Sequence, residues 1–335
     1  MKILFVWTGV TSYMADCWRR LQQEADVELK VVVECVEIGK EFDKGKVLQS
    51  LDACFVEGSG PRSSSLTSGK DSASPSAIAR VSAWLGEWTP DVVFAVGWHS
   101  KVVRAFVTLE DWRDVPKVCC FDLPWRWKLR CIAARFVLRR FLRHYAAAYV
   151  PGVACERYAK WLGFADVWRG LFSIRAERFA GPETPREGFL FVGRKVPEKG
   201  VDVLRAAYEI SRARGGTWTL DIPEWIDPED VPQAMRDHAC LVLPSRWEPW
   251  GVVVAEAKAA GMRVIVSDKV NARLDIPCEG VFSSGDAAGL AEEMLKVERE
   301  GASVPVDVSF WDCARWVARV KEICAKVTEK GGGAV

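Results

Sequence analysis

The chain has 335 residues, of which 49% are hydrophobic and 27% charged, with a formal net charge of +1. That length suits about two ordinary domains, and the composition excludes a wholly disordered or fibrous chain. No stretch approaches the ~20 apolar residues that span a bilayer.

Charge is divided unevenly along the chain. Residues 1–170 hold 24 Lys and Arg against 19 Asp and Glu, and residues 171–335 hold 22 against 26. So modest a split does not mark a nucleic-acid binder. The 11 cysteines include no CxxC pair. This usage fits reduced, buried thiols in a cytoplasmic protein better than a disulfide framework or a zinc site.

Short apolar runs alternate with longer helical patterns. Residues 2–7 (Lys-Ile-Leu-Phe-Val-Trp) read as a buried first strand, since the run is too short for a secretory core and no cleavage site follows it. Residues 14–24 are predicted helical, 27–36 a strand and 53–56 a short strand. The segment 58–76 holds eight Ser, three Gly and two Pro, the composition of a loop. A helix over 76–87, strands over 92–96 and 118–121, a helix over 126–145 and a strand over 147–150 complete the first half. The second half continues with strands at 189–192, 217–222, 240–243 and 263–267, and helices at 200–213, 231–237 and 251–260. This alternation predicts an α/β chain with parallel sheets and helices on both faces. Two Rossmann-like domains are expected to face one another across a cleft, with ligand at the carboxyl ends of the strands.

Two segments carry the chemistry. Residues 241–256 read Leu-Val-Leu-Pro-Ser-Arg-Trp-Glu-Pro-Trp-Gly-Val-Val-Val-Ala-Glu. A buried strand runs into a turn, and a helix begins near Gly251. Its amino end offers free N–H groups and the positive end of a dipole, a natural seat for phosphate. Residues 191–200 read Phe-Val-Gly-Arg-Lys-Val-Pro-Glu-Lys-Gly. Here Arg194, Lys195 and Lys199 stand on the loop before the next helix, where cations can neutralise a diphosphate leaving group without a metal.

These segments resemble the retaining GT-B glycosyltransferases of the group often called family 4. The resemblance rests on Gly193-Arg194…Lys199-Gly200, on Glu248…Glu256, and on the Ala/Gly-rich helix end that runs from Glu256 to Asp268. It implies domains over 1–172 (acceptor) and 173–308 (donor), with a helix over 309–330 crossing back to the first. It further implies that Arg194 and Lys199 grip the donor diphosphate and that Glu256 accepts hydrogen bonds from ribose hydroxyls. Glu248 would contact the sugar, the backbone at Trp250, Gly251 and Val252 would hold the distal phosphate or sugar, and Gly9 would face the donor from the other domain. His99 and Asp122, at strand ends, are the acceptor-side candidates. Among the tryptophans, Trp247 and Trp250 are expected nearest the ligand.

The implied activity is transfer of a sugar from a nucleotide-diphosphate donor to a glycan or lipid-linked acceptor, with retention. No cofactor and no metal are expected, and no Asp-x-Asp motif is present. The alternatives are a sugar-nucleotide-binding, non-catalytic partner subunit and another GT-B enzyme such as an epimerase. This chain departs from the pattern in three places. Only Gly9 stands where the first loop usually has two glycines. Lys269-Val270-Asn271-Ala272 replaces a glycine pair, and the stretch between Leu220 and Leu241 lacks a glycine-rich turn.

The run 126–143 carries seven basic residues, and no acidic residue occurs from Leu123 to Cys155. Such a helix can face water with its charges, or lie on anionic lipid at the inner face of a membrane.

Overall fold

A computed structural model describes residues 1–35, 49–57, 75–126, 128–181, 186–301 and 306–331. Most of the expected loop at 58–76, Trp127 and residues 182–185 lie outside the described residues. The chain divides into two compact units. One comprises Met1–Pro151, Cys155–Leu171 and Trp316–Val335; the other comprises Gly152–Ala154 and Phe172–Arg315.

The first unit is a seven-stranded parallel sheet. Its strands are β1 (Lys2–Trp7), β2 (Glu28–Cys35), β3 (Ala53–Glu57), β4 (Val92–Val96), β5 (Lys117–Cys120), β6 (Ala147–Val150) and β7 (Val167–Arg169). Their order is β3-β2-β1-β4-β5-β6-β7. Helices α1 (Ser12–Gln22), α2 (Pro75–Leu85), α3 (Lys101–Val107), α4 (Leu129–Val137), α5 (Arg139–Leu142) and α6 (Val153–Leu162) follow strands in the crossover manner. The strands are apolar runs because both faces are covered: Ile3, Leu4 and Phe5 are completely buried, as are Val93, Phe94 and Ala95. Pairing of Ile3 with Val92 and of Lys2 with Glu28 fixes β1 in the middle. The sequence therefore reverses its direction of travel between β1 and β4, which is where ligands bind in open α/β sheets.

An aromatic stack holds this core. Phe5 lies 4.8 Å from Phe94 and 5.8 Å from Trp316, centroid to centroid. Trp316 belongs to α12 (Cys313–Gly331), whose residues from Trp316 onward form part of the first unit. The Trp316 indole donates to the Leu171 carbonyl at 2.9 Å, and Lys321 reaches Asp26 at 2.8 Å.

The second unit is a five-stranded parallel sheet of β8 (Phe189–Leu190), β9 (Leu220–Asp221), β10 (Cys240–Leu243), β11 (Arg263–Ser267) and β12 (Gly280–Phe282). The order is β12-β11-β10-β8-β9. Helices α7 (Ala176–Phe179), α8 (Val201–Ala213), α9 (Val231–Asp237), α10 (Val252–Ala259) and α11 (Ala287–Glu300) accompany it. β8 and β10 are neighbours, while the strands that follow each of them lie on opposite sides. The switch point thus falls at the carboxyl ends of β8 and β10.

One predicted element is corrected. The run 126–145 is not one helix: α4 ends at Val137 and the four-residue α5 begins at Arg139. The cause is tertiary. Phe141 and Leu142 turn inward and are buried, and Phe141 meets Tyr145 edge-on at 5.7 Å and the Arg104 guanidinium at 4.6 Å. Among the described residues no helix is long and apolar enough to cross a membrane.

Candidate active site

The turns after β8 and β10 are pressed together. Gly200 ends the first with a left-handed backbone (φ 68°), and a Cβ there would strike the carbonyl oxygen of Pro244 in the second. Only glycine accepts both the conformation and the contact. Arg246 fastens the same two turns. Its backbone N–H donates to the Glu198 carbonyl at 2.7 Å, and Nη1 donates to the Pro197 carbonyl at 2.7 Å. Its guanidinium holds the Asp202 carboxylate with two bonds of 2.8 and 2.5 Å. That fork holds the Asp202 carboxyl at about 2, below the usual carboxylate range.

This clamp brings Lys199 onto Glu248 as an ion pair in which both side chains are mostly buried. The Ser245 hydroxyl adds a long bond of 3.4 Å to the same carboxylate. Glu248 is held from behind as well. Its N–H donates to the Lys269 carbonyl at 3.2 Å, and its own carbonyl accepts from Asn271 Nδ2 at 3.0 Å. The segment Lys269-Val270-Asn271-Ala272 is therefore the back wall of the Glu248 turn. Ala272 N–H also donates to the Trp250 carbonyl at 2.8 Å.

Gly251 caps α10 with a left-handed backbone (φ 108°). A Cβ there would crowd Glu248 Cγ at 3.2 Å and Val270 at 3.3 Å. Val252 opens the helix and is half-buried. Glu256 lies one turn further, between the buried Ala255 and Ala257. Its carboxyl is half-buried and makes no hydrogen bond or ion pair among the described residues. Burial pushes it up to about 7, opposed by the positive charge of Arg178 on α7. Arg194 is exposed and makes no ion pair among the described residues. Lys195 pairs with Glu224, next to the exposed Trp225 at the carboxyl end of β9.

Arg194, Lys199, Glu248, Gly251, Val252 and Glu256 thus all follow the carboxyl ends of β8 and β10, the strands of the switch point. The expectation for the Trp250 side chain is corrected. Its indole is 1% exposed, donates to Asp275 Oδ2 at 3.0 Å and lies 5.8 Å from Trp311. It packs the unit's interior, so only its backbone remains for a ligand. Trp247 is half-buried on the turn.

In the first unit Gly9, His99 and Asp122 follow the adjacent strands β1, β4 and β5 and line one edge of the sheet. His99 is exposed beside Trp98 at 5.6 Å and precedes Ser100, whose hydroxyl caps α3 by accepting from Val103 N–H at 3.1 Å. Among the described residues no three His, Cys, Asp or Glu group as a metal site. Sequence reasoning missed Arg246, Asp202 and Asn271. Arg246 stands inside the segment already singled out, and Asp202 in the first turn after Gly200, but only the fold reveals that they meet.

Comparison with known proteins gives the class. Residues 211–305 match the family model described as glycosyl transferases group 1. Over 257 residues the chain is 27% identical to glycogen synthase of Mycobacterium tuberculosis, covering 63% of this chain and 60% of that synthase. Sucrose-phosphate synthase of Thermosynechococcus elongatus shares the fold with a TM-score of 0.65 at 13% identity, covering 98% of this chain and 100% of that one. Anabaena HepE, solved with UDP and glucose, does so with a TM-score of 0.67 at 12% identity over 97% and 100%. The fold is GT-B, and the match to the group 1 glycosyltransferase model falls within the second unit. The chain spans less than two thirds of the length of the curated synthase it matches.

Proposed function

We propose that this protein is a glycosyltransferase that moves a sugar from a nucleotide-diphosphate donor to a hydroxyl of a glycan or lipid-linked acceptor. The observation that carries the reading is the Lys199–Glu248 ion pair at the β8/β10 switch point, accompanied by Arg194 and a desolvated Glu256 that make no ion pair among the described residues. A diphosphate would compete for Lys199 and gain Arg194 as a second cation. Glu248, released from Lys199, would then accept hydrogen bonds from the sugar hydroxyls. The amino end of α10, opened by Gly251, would receive the distal phosphate. As the glycosidic bond to that phosphate breaks, negative charge grows on its oxygens, and these donors are already in place to stabilise it.

Glu256 suits the ribose because a desolvated carboxylate with no hydrogen bond among the described residues gains most from new hydroxyl donors. UDP is the first nucleotide to test, since HepE was solved with it. On the first unit, His99 and Asp122 are proposed to meet the acceptor, with Gly9 beside the donor sugar. Retention, and operation without a metal or further cofactor, complete the proposal. Two cations and a helix end suffice for the leaving group. Free, buried thiols such as Cys119 and Cys120 suit a reducing, cytoplasmic compartment.

The test is a binding screen against UDP-, GDP-, ADP- and dTDP-sugars, followed by nucleotide release with candidate acceptors. One donor is expected to raise the unfolding temperature in the wild type and to lose that effect in Arg194→Ala. A protein stabilised by none of them would overturn the reading. Binding without any turnover would favour a non-catalytic subunit.

A further inference from the structure

We propose that α4 is a membrane-docking wedge that seats the first unit on an anionic phospholipid surface. The proposal is independent of the donor site. An amphipathic helix in a soluble protein ordinarily turns its apolar stripe inward. Here the stripe points out: Leu129 is 85% exposed, Phe136 70%, Val137 76% and Ile132 37%, while the inward position is taken by the small Cys131 at 9%. At 3.6 residues per turn, positions 129, 132, 136 and 137 share one face.

The helix is mounted firmly in that orientation. Arg135 Nη1 donates to the Trp161 carbonyl at 3.0 Å, and its guanidinium lies 5.1 Å from the Trp161 ring. The break after Val137 sends Phe141 and Leu142 into the core. The apolar face is therefore only the nine residues of α4, narrower than the whole basic run suggests. A helix of that length is ~13 Å long, too short to span a bilayer but suited to lie in its surface.

Charge selects the occupant. Lys128, Arg130, Arg139, Arg140 and Arg143 are exposed around the apolar face, with no acidic residue between Leu123 and Cys155. A second copy packed on the same patch would bring these cations against their own equivalents. A polyanion such as nucleic acid would leave Leu129, Phe136 and Val137 in water. An anionic bilayer satisfies both halves, since hydrocarbon takes the aliphatic and aromatic groups and headgroups take the cations.

The experiment is flotation of the full chain with vesicles of phosphatidylcholine alone or mixed with phosphatidylglycerol, at low and high salt. Two variants accompany it, Phe136→Ser/Val137→Ser and Arg139→Glu/Arg140→Glu/Arg143→Glu. All five positions are exposed, and unchanged unfolding temperature and donor binding serve as the control. The wild type is expected to float with the anionic vesicles and to be released by salt. Partition should fall on the order of 100-fold in the charge variant and about tenfold in the apolar variant. Failure to float, equal partition onto neutral vesicles, or variants that float like the wild type would overturn the proposal. So would a dimer in solution that the apolar variant disperses.

Discussion

Lys199 and Glu248, 49 residues apart in sequence, close onto each other across the turns that follow β8 and β10. Each side chain is mostly buried, so each is the other's principal neutralising partner in the unliganded site. Removal of Lys199 strands a carboxylate whose remaining side-chain contact is Ser245 at 3.4 Å. Lys199→Ala is therefore expected to lower stability by about 1–2 kcal/mol. If Lys199 serves the leaving group as proposed, the same change should slow transfer by about 10²–10³-fold, because it removes a preorganised cation. Initial rates with saturating donor, read beside thermal unfolding, separate the two effects. Transfer at the wild-type rate would remove Lys199 from the site.

Glu256 gives a pH-dependent prediction. Its carboxyl sits near 7 in the folded protein against an ordinary value of 4.5, because burial penalises the charge. The folded state thus binds the proton more tightly than the unfolded one. The resulting stability is fully present below the ordinary value and is lost as pH rises through about 7. Glu256→Gln lacks this loss. It is expected to match the wild type near pH 4 and to exceed it at pH 8 by on the order of 2 kcal/mol. Donor affinity should show the opposite sign: it strengthens in the wild type as the carboxylate forms, and stays weak and flat in the variant. Denaturant unfolding and donor titration across this pH range check both.

Gly200 offers a test of the clamp itself. Alanine there must hold a left-handed backbone and displace the Pro244 carbonyl. Gly200→Ala is expected to destabilise the second unit by about 2–4 kcal/mol. Donor binding should weaken even at temperatures where the protein remains folded, since Lys199 immediately precedes the glycine. Urea unfolding and donor titration at low temperature distinguish this from a simple loss of folded protein.

The parts of this molecule that were legible in the sequence are those set by local pattern. Parallel, doubly covered strands announce themselves as unbroken apolar runs, so β1, β4, β6, β10 and β11 stand at the predicted residues. The placement of Arg194, Lys199, Glu248 and Glu256 after β8 and β10 was legible because glycines and a strand-to-helix turn frame them. What was hidden depends on contacts far apart in the chain. Nothing local tells that Arg246 meets Asp202, that Asn271 braces Glu248, or that Trp250 is used up by Asp275. The same holds for α4, whose periodicity reads alike whether its apolar stripe faces the core or the solvent. β7 and β12 are three residues each and too short to leave a period.

Arg246 separates positioning from chemistry. Its pair with Asp202 is largely exposed, so the ion pair itself contributes less than about 1 kcal/mol to stability. Asp202 has its carboxyl lowered, so that contribution is present above the ordinary value of 3.8 and is lost as pH falls through about 2. Arg246→Ala should therefore unfold only slightly more easily than the wild type at neutral pH, with the gap narrowing in strong acid. Its larger effect falls on the turn. Without the guanidinium bonds to Pro197 and Asp202, and with only the backbone bond to Glu198 left, Lys199 is held less firmly for a diphosphate. Donor KM is expected to rise about tenfold with kcat changed little, because donor binding itself would restore the closed arrangement of the two turns. A variant with normal KM and a depressed kcat would show that Arg246 acts on the reacting groups and not on their placement.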